Sequence, residues 1–442
     1  MTERELRQAI EILPDRLYYV PLSAQPSGQA VSRGDRHFFS IDQEFIYWNF
    51  FLDFGPLNLG HVYRFCMLLN KKLSDSRLKS SVIYFYSGSH GNRRANACHL
   101  ICSWQMICLG KSPEEAFKPF RGCTPFPPWH DATPTVCSFN LTIMDTLRGL
   151  KKAMDCHFFD LNTFDVEEYE HYEQVESGDL NWIMDGKFVA FAGPHSAAHA
   201  NEYHNLPPEA YVPYFKRKNV TLVVRLNKKY YDAASFTRAG IDHMDLYFLD
   251  GSNPPDHLLA RFIQKAEQTP GAVAVHCKAG LGRTGCCIGN YIMKHFKFTA
   301  EEFIGWARIA RPGTIIGPQQ QYMKEMQMRM WREGEVYRSR LAPLGPPGTT
   351  ELDGKIGDMR VSVDRKGTQE EKESARKMVA ARRAEEEREA AGGITQGDQL
   401  RAARVQQQSS GRSETQGTGG GGAPPGSGRG GTSISRFLNS WK

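Results

Sequence analysis

A cysteine at position 277 lies where an apolar segment ends and a glycine-rich segment begins, in AVAVHCKAGLGRTGCC (272–287). Glycines allow successive backbone N–H groups to converge on one point, and the start of a following helix adds partial positive charge. Such a cradle favours the thiolate form of Cys277, which is a nucleophile. The sequence therefore predicts a loop that binds an oxyanion beside a nucleophilic cysteine.

The same loop contains the other groups that phosphoryl transfer needs. Arg283 can offer its planar guanidinium to two oxygens of a phosphate, and the backbone N–H groups of 278–283 surround the others. We expect His276 to support the loop through hydrogen bonds and Thr284 to donate to the thiolate when it is the leaving group. The residues assigned to the phosphate-binding loop are His276, Lys278, Ala279, Gly280, Leu281, Gly282 and Thr284.

A displacement at phosphorus also needs an acid for the departing alkoxide. Asp250 is the leading candidate because it follows the apolar segment MDLYFL (244–249), a predicted strand whose carboxyl end would lie where ligands bind in open α/β sheets. The alternatives are Asp242 and Asp245, which precede or begin that strand, and Asp256, which is expected to cap a helix.

Hydrolysis of a phosphocysteine requires a positioned water. IIGPQQQYM (315–323) offers Gln319 and Gln320 just before a predicted helix. Helix capping and solvent exposure are the alternative roles for this pair.

The elements that position these residues alternate between strands and helices. Strand-like FVAFAG (188–193), VTLVVRL (220–226) and GAVAVH (271–276) alternate with helical segments such as 256–269. Residues 16–160 show the same mixture. This alternation predicts an α/β fold with mostly parallel sheets and helices on their faces.

One unit is present twice. The first copy begins with SVIYFY (81–86) and continues through a glycine-containing loop and an apolar helix to a capping box at Ser112 and Glu115. In the second copy, the cysteine loop and its helix lead to a capping box at Thr299 and Glu302. The first loop, SGSHGNRR, has no cysteine. Only the second copy is therefore expected to carry out cysteine chemistry.

Composition divides the chain further. Residues 164–180 form an acidic linker that has no Lys or Arg and includes Glu170, Glu173 and Asp179. This linker is either a solvated helix face or an acidic wall for a basic ligand. The predicted segments are 1–163, an N-terminal domain without a catalytic cysteine; 164–180, the acidic linker; 181–340, the catalytic domain; and 341–442, a low-complexity disordered tail.

The overall composition excludes several classes. A net charge of +6 over 442 residues does not indicate nucleic-acid binding, and no apolar stretch reaches the length of about 20 residues that a membrane span needs. The ten cysteines lack zinc-site spacing, so we expect no metal or cofactor, and they favour a reducing intracellular compartment. For the adjacent Cys286 and Cys287, packing is favoured over a redox role.

HCKAGLGRTG resembles the HCxxGxxR[ST] signature of protein tyrosine and dual-specificity phosphatases. Together with DVEEYEHYE, GDLNWI, FAGPHS, RLNKKYYD, DLYFLDGS and RPGTIIGPQQQ, it resembles the cell-division-cycle-fourteen phosphatases of mitotic exit, over about residues 16–335. The resemblance implies two tandem dual-specificity-phosphatase-like domains, each a mostly parallel sheet flanked by helices, with the catalytic cysteine absent from the first.

The resemblance also implies roles for individual residues. Cys277 would be the nucleophile that forms a phosphocysteine, Arg283 the phosphate-binding arginine, Asp250 the general acid, and the glutamines of GPQQQ the water-positioning residues. A substrate-specificity groove between the domains would be lined by Glu170, Glu173 and Asp179.

The implied substrates are proteins phosphorylated by cyclin-dependent kinases, at phosphoserine followed by proline with a basic residue downstream. Phosphothreonine and phosphotyrosine are further substrates, and the implied role is in mitotic exit, cytokinesis or cell-cycle control. The implied location is the nucleus or cytoplasm, with the nucleolus, spindle pole and centrosome as candidate sites.

Two other functions compete with this interpretation. A phosphoinositide phosphatase would have a second cation in the loop where Leu281 stands, and the acidic linker would repel a polyanionic headgroup. A pseudophosphatase that serves as a phosphate-binding scaffold is disfavoured because the cysteine, arginine and aspartate are all present. The oligomeric state is left open.

Overall fold

The computed structural model describes residues 3–24, 32–33, 35–196, 205–341, 387 and 393–416. The helices are α1 (Glu3–Leu6), α2 (Leu59–Ser74), α3 (Gly91–Leu109), α4 (Pro113–Phe117), α5 (Ile143–Asp155), α6 (Val166–Glu173), α7 (Pro208–Arg217), α8 (Ala234–Thr237), α9 (Asp256–Gln268), α10 (Gly282–Phe296), α11 (Ala300–Ala310), α12 (Pro318–Leu341) and the tail helix (Gln396–Gln416). The strands are β1 (Ile10–Leu13), β2 (Leu17–Leu22), β3 (Ser32–Arg33), β4 (Arg36–Phe39), β5 (Val82–Gly88), β6 (Leu180–Met184), β7 (Phe188–Phe191), β8 (Val220–Arg225), β9 (Asp242–Asp245) and β10 (Ala272–His276).

The predicted duplication is confirmed by the topology of the two sheets. Their strand orders are β1-β2-β5-β4-β3 and β6-β7-β10-β8-β9. In each sheet an antiparallel hairpin forms one edge, and its second strand pairs in parallel with a central strand, β5 or β10. Both predicted capping boxes form, at Ser112 and Glu115 before α4 and at Thr299 and Glu302 before α11.

The two copies differ in the loop after the central strand. Two residues, Ser89 and His90, separate β5 from α3, whereas residues 277–281 separate β10 from α10. The shorter loop has neither the cysteine nor the length to form the same cradle. The N-terminal copy therefore has the fold without the reactive loop.

Close packing of α5 against α11 joins the domains. A Cβ added to Gly149 would collide with the carbonyl oxygen of Glu302, and one added to Gly305 would lie 2.8 Å from the Cα of Thr146. Helices that approach this closely tolerate only glycine at the crossing. One apolar core runs through both domains. A smaller apolar cluster brings Phe50 and Ala132 of the N-terminal domain against Leu281 of the loop that follows β10.

One prediction of secondary structure needs correction. The strand expected over 244–249 ends at Asp245; beyond it, the Leu246 and Phe248 amides donate to the carbonyls of Arg225 and Leu226 in an irregular path. Most of the predicted tail, 341–442, lies outside the described residues; within it the structure describes the tail helix, Gln396–Gln416.

Candidate active site

The central strand β10 delivers Cys277 to the carboxyl end of the second sheet. All five residues of β10 are buried between β7 and β8, and Cys277 itself is only 3% exposed. The following helix begins at Gly282, and its N-cap residue, Leu281, makes no side-chain capping hydrogen bond. Uncapped N–H groups at a helix start form an anion-binding site.

Gly280 shows why the loop requires glycine. Its φ of +68° lies in the left-handed region, and an added Cβ would collide with the carbonyl group of Phe191 on β7. Because the loop passes this close to the neighbouring strand, no side chain fits at this position.

Arg311, at the end of α11, holds the loop from below. Its Nε donates to the Gly280 carbonyl at 2.9 Å and its Nη2 donates to the Ala279 carbonyl at 3.0 Å. The side chain is fully buried and pairs with Asp179 at 2.9 Å. By binding the carbonyls, Arg311 helps to fix the peptide planes whose N–H groups form the cradle.

His276 anchors the other side of the loop. Its Nδ1 donates to the Cys277 carbonyl at 3.0 Å, because a carbonyl oxygen can only accept. Burial holds the pKa of His276 well below its ordinary value, so the ring is neutral and Nε2 accepts from the Tyr231 hydroxyl at 2.7 Å. Tyr231 in turn accepts from His243 Nε2 at 2.9 Å, which completes a chain of hydrogen bonds beneath the loop.

Arg283 and Asp250 lie side by side at the mouth of the loop. Arg283 Nη2 is 2.9 Å from Asp250 Oδ1, and its Nη1 donates to the Phe248 carbonyl at 2.8 Å. Both side chains are almost completely buried. A group that could bind phosphate and a group that could transfer a proton therefore adjoin each other.

The three alternative aspartates are engaged elsewhere. Asp245 forms an ion pair with Arg225, and Asp242 with Lys265. The cap of α9 is Pro255, so Asp256 is the first helical residue rather than the expected cap, and it pairs with Arg329.

The two glutamines have different surroundings. Gln319 faces the loop, since a Cβ added to Gly282 would lie 2.6 Å from its Oε1, and Gln319 Nε2 donates to the Ser252 carbonyl at 3.4 Å. Gln320 accepts from Arg308 and donates to Asp131 of the N-terminal domain. The geometry therefore favours Gln319 as the residue that could contact a water.

Thr284 is fully buried next to the cysteine in sequence. Among the residues that the structure describes, its hydroxyl has no hydrogen-bond partner. That hydroxyl is therefore available to a sulfur or phosphate group at the loop.

The linker residues separate into two groups. Asp179 is buried and Glu173 is half-buried, and both face the same guanidinium, that of Arg404 in the tail helix, at 3.4 and 3.6 Å. Glu170 instead lies at the surface, where Arg64 donates to both of its carboxylate oxygens at 2.6 Å. The structure thus brings two of the three acidic residues together; we call Glu173 and Asp179 the acidic groove.

Sequence reasoning missed three residues that support the site. Asp131 lies far along the chain from the loop, and no local pattern marked it. Tyr231 belongs to the RLNKKYYD segment and Arg311 to the RPGTIIGPQQQ segment; both segments carried the resemblance and were the available signal.

Within the part of the chain that the structure describes, no cluster of three His, Cys, Asp or Glu side chains could hold a metal ion, and no helix is long and apolar enough to cross a membrane. Burial raises the pKa of both the Cys286 and Cys287 thiols, which pack inside α10.

Comparison with known proteins defines the class first. Residues 11–153 match the family described as "Dual specificity protein phosphatase, N-terminal half", and residues 211–331 match "Dual specificity phosphatase, catalytic domain". A crystal structure of PTPMT1 matches 37% of this chain and 99% of its own at 20% identity, with a TM-score of 0.30.

The particular family follows from whole-chain relatives. The chain is 46% identical to human dual specificity protein phosphatase CDC14A, over 91% of this chain and 68% of the relative. It is 48% identical to human CDC14C, over 74% of this chain and 73% of that protein. The chain belongs to the CDC14 family of dual specificity protein phosphatases. It spans only about two thirds of the length of the CDC14A relatives, 66% for the mouse protein.

Proposed function

We propose that the protein is a cysteine-dependent protein phosphatase that hydrolyses phosphoserine followed by proline, with a Lys or Arg a few residues downstream. Phosphothreonine and phosphotyrosine are further substrates. The observation that carries this proposal is the acidic groove, which lies beside the phosphate loop and already holds a guanidinium, that of Arg404. A basic side chain thus has a binding site close to the phosphate site.

In the first step, the Cys277 sulfur attacks phosphorus while the bond from phosphorus to the serine oxygen breaks. Arg283 and the N–H groups of the loop bind the equatorial oxygens, where charge gathers in the transition state. Asp250, in its protonated form, gives its proton to the departing serine oxygen. The products are the free serine hydroxyl, an ionised Asp250 and a phosphocysteine.

In the second step, water attacks the phosphocysteine and the sulfur–phosphorus bond breaks. Gln319 orients the water, and Asp250 takes up its proton. The Thr284 hydroxyl donates to the thiolate as it leaves, which returns Cys277 to its starting state and releases inorganic phosphate.

The wider role is proposed on the basis of family membership. The CDC14 relatives support a role in the cell cycle. Substrates phosphorylated by cyclin-dependent kinases and a role in mitotic exit or cytokinesis are proposed from the sequence resemblance. All ten cysteines are free thiols, which supports a reducing compartment, the nucleus or cytoplasm. We retain the predicted boundaries 1–163, 164–180, 181–340 and 341–442 as part of this proposal.

The two competing functions are less well supported. A phosphoinositide headgroup carries several negative charges, and Glu173 and Asp179 would repel it at the mouth of the site. A phosphate-binding scaffold has no need of an acid beside Arg283, where Asp250 lies at 2.9 Å.

A trapping experiment tests the proposed chemistry. The full chain is mixed with a radiolabelled phosphoserine-proline peptide, quenched in acid and analysed for labelled protein. We expect label on Cys277 that is absent from Cys277→Ser, whereas turnover without a labelled intermediate would contradict the phosphocysteine route. A parallel assay with a phosphoinositide should release little phosphate, and faster release than from the peptide would favour the competing function.

A further inference from the structure

The segment that carries the two glutamines, residues 314–320, has a strained backbone. Ile315 has a φ of +62° and Gly317 a φ of +55°, both in the left-handed region. A β-branched residue such as isoleucine adopts this region only where the surrounding structure forces it to. The segment therefore depends on contacts with other parts of the molecule to keep its shape.

Arg308 of α11 makes such contacts from the catalytic domain. Its Nε donates to the Thr314 carbonyl at 3.2 Å, and its Nη2 donates to the Ile315 carbonyl at 2.8 Å. The same Nη2 donates to Gln320 Oε1 at 2.7 Å. Arg308 is 3% exposed, so water does not compete for these hydrogen bonds. The carbonyl groups of the segment are thus held by its own domain.

Asp131 of the N-terminal domain holds the amide side of the segment. Its Oδ2 accepts from the Gly317 amide at 2.6 Å and from Gln320 Nε2 at 3.1 Å. Its Oδ1 accepts from the Thr133 hydroxyl at 2.9 Å, which fixes the orientation of the carboxylate. Asp131 is 1% exposed. A buried carboxylate of the domain without a catalytic cysteine therefore binds the segment that carries Gln319.

The position of the Gln319 side chain follows from the backbone of this segment. The Ile316 amide, which adjoins Gly317, donates to Gln319 Oε1 at 3.1 Å. The same oxygen lies 2.6 Å from the place that a Cβ on Gly282 would take, so the Gln319 amide group lies against the phosphate loop. A shift of the backbone at 316 and 317 would therefore move the side chain that is proposed to orient the water.

We propose that Asp131 is a positioning residue for hydrolysis of the phosphocysteine, because it holds residues 315–317 in the shape that directs Gln319 at the phosphate loop. This inference rests on the proposed function, in which Gln319 orients the attacking water. Asp131 acts through Gln319 rather than on the reacting atoms. The N-terminal domain thereby contributes to the second chemical step, although it has no cysteine in its own loop.

Steady-state kinetics distinguish this role from a general loss of structure. The ratio kcat/KM includes steps only up to formation of the phosphocysteine and release of the alcohol, whereas kcat also includes hydrolysis of the phosphocysteine. Slower hydrolysis therefore lowers kcat and KM together and leaves kcat/KM unchanged. A poorly folded enzyme would instead lose kcat and kcat/KM alike.

Two substitutions of Asp131 separate its hydrogen bonds from its charge. Asp131→Ala removes the acceptor for the Gly317 amide. Asp131→Asn keeps one acceptor oxygen for Gly317 and Gln320, and its amide group can donate to the Thr133 hydroxyl, which also lies 3.2 Å from the Thr135 carbonyl as an alternative acceptor. The asparagine variant should therefore recover most of the activity that the alanine variant loses.

Asp42→Ala is the matched control. The Asp42 carboxylate accepts from the Gly88 amide at 2.6 Å and lies 3.6 Å from Arg93, and all three residues belong to the N-terminal domain. This substitution removes a carboxylate that binds a backbone amide, as Asp131→Ala does, but leaves the glutamine segment untouched. We expect its kcat to match that of the wild type.

The experiment uses the full chain and two labelled aryl phosphates whose leaving groups differ in acidity, at a temperature below the Tm of every variant. We expect Asp131→Ala to lower kcat about tenfold, to the same value for both substrates, with kcat/KM unchanged and with phosphocysteine accumulating in acid-quenched samples. Unchanged kcat, an equal fall in kcat and kcat/KM, or equal losses in Asp131→Ala and Asp131→Asn would overturn the positioning role.

A double substitution tests whether Asp131 acts through Gln319. Gln319→Ala removes the group that is proposed to orient the water, so adding Asp131→Ala should lower kcat less than twofold further. A further tenfold loss in the double variant would mean that the two residues act independently, and it would overturn the inference.

Amide hydrogen exchange separates this inference from the proposed function, because it needs no turnover. The Gly317 amide should exchange slowly in the wild type and in Asp42→Ala, and quickly in Asp131→Ala. Equal exchange in all three chains would overturn the role of Asp131 even if the enzyme is active. If the wild type forms no phosphocysteine, the proposed function fails, and exchange at Gly317 still decides whether Asp131 holds the segment.

Discussion

Arg311 and Asp179 form a buried ion pair at 2.9 Å that connects the acidic groove to the phosphate loop. The same guanidinium donates to the carbonyls of Gly280 and Ala279, so one side chain contacts both the groove and the loop. Arg311 thus fixes the acidic groove, which would attract a basic substrate residue, relative to the loop backbone that would bind phosphate.

We predict that Arg311→Lys lowers kcat about a hundredfold for both a phosphopeptide and a small aryl phosphate. Lysine keeps the charge but cannot donate to two carbonyls and Asp179 in one plane, and small displacements of a catalytic loop cost about this much. Steady-state kinetics measure the effect, with exposed Arg238→Lys as the control. Thermal unfolding shows whether Arg311→Lys remains folded; a folded variant with wild-type kcat would remove Arg311 from the account.

The role of Asp250 depends on the leaving group. Asp250→Asn should lower kcat for a phosphoserine peptide by about 10² to 10⁴, because serine departs as a poor alkoxide without a proton. An aryl phosphate with a good leaving group should be slowed much less. Kinetics on both substrates measure the difference. Equal losses on the two substrates would identify another residue as the acid.

Buried histidines should make the fold sensitive to acid. His99 on α3 is fully buried, and burial lowers its pKa to about 3, whereas the unfolded chain binds the proton below about pH 6.5. Stability is therefore present above this pH and is lost as the pH falls. Between pH 7.5 and pH 5 this single group costs about 2 kcal/mol of the free energy of unfolding.

His99→Phe should remove that part of the pH dependence. Neither ring nitrogen of His99 has a hydrogen-bond partner among the described residues, so phenylalanine sacrifices no bond. Denaturant unfolding at pH 7.5 and pH 5 measures the two stabilities. A variant that loses as much stability as the wild type over this range would contradict the assignment.

The sequence predicted those parts of the site that lie within one continuous segment of the chain. Cys277, Arg283 and their glycines occupy one strand–loop–helix unit, and its composition dictates the cradle, so their arrangement follows from sequence. The capping boxes at Thr299 and Ser112 are likewise local and form as expected.

The remaining features depend on contacts between distant segments. Tyr231 reaches His276 across 45 residues, and Asp131 reaches Gln320 across 189, and no periodicity encodes either distance. Glu170 and Glu173 looked equivalent within one acidic run, but helix geometry directs one toward Arg64 and the other toward Arg404.

The acidic groove is the feature that would distinguish this enzyme from a phosphatase that recognises only phosphate. Its contribution is measured in the full chain. Glu173→Gln removes one half-buried charge from it. Glu170→Gln is the matched control, because its carboxylate is bound by Arg64 at the surface.

The most direct measurement compares kcat/KM for two phosphoserine-proline peptides that differ only in a downstream Lys or Glu. We predict a preference for Lys of about tenfold or more, reduced several-fold by Glu173→Gln and unchanged by Glu170→Gln, with activity on an aryl phosphate constant throughout. Equal kcat/KM for the two peptides, or equal effects of the two substitutions, would contradict the claim that the groove reads a basic residue beside the phosphoserine.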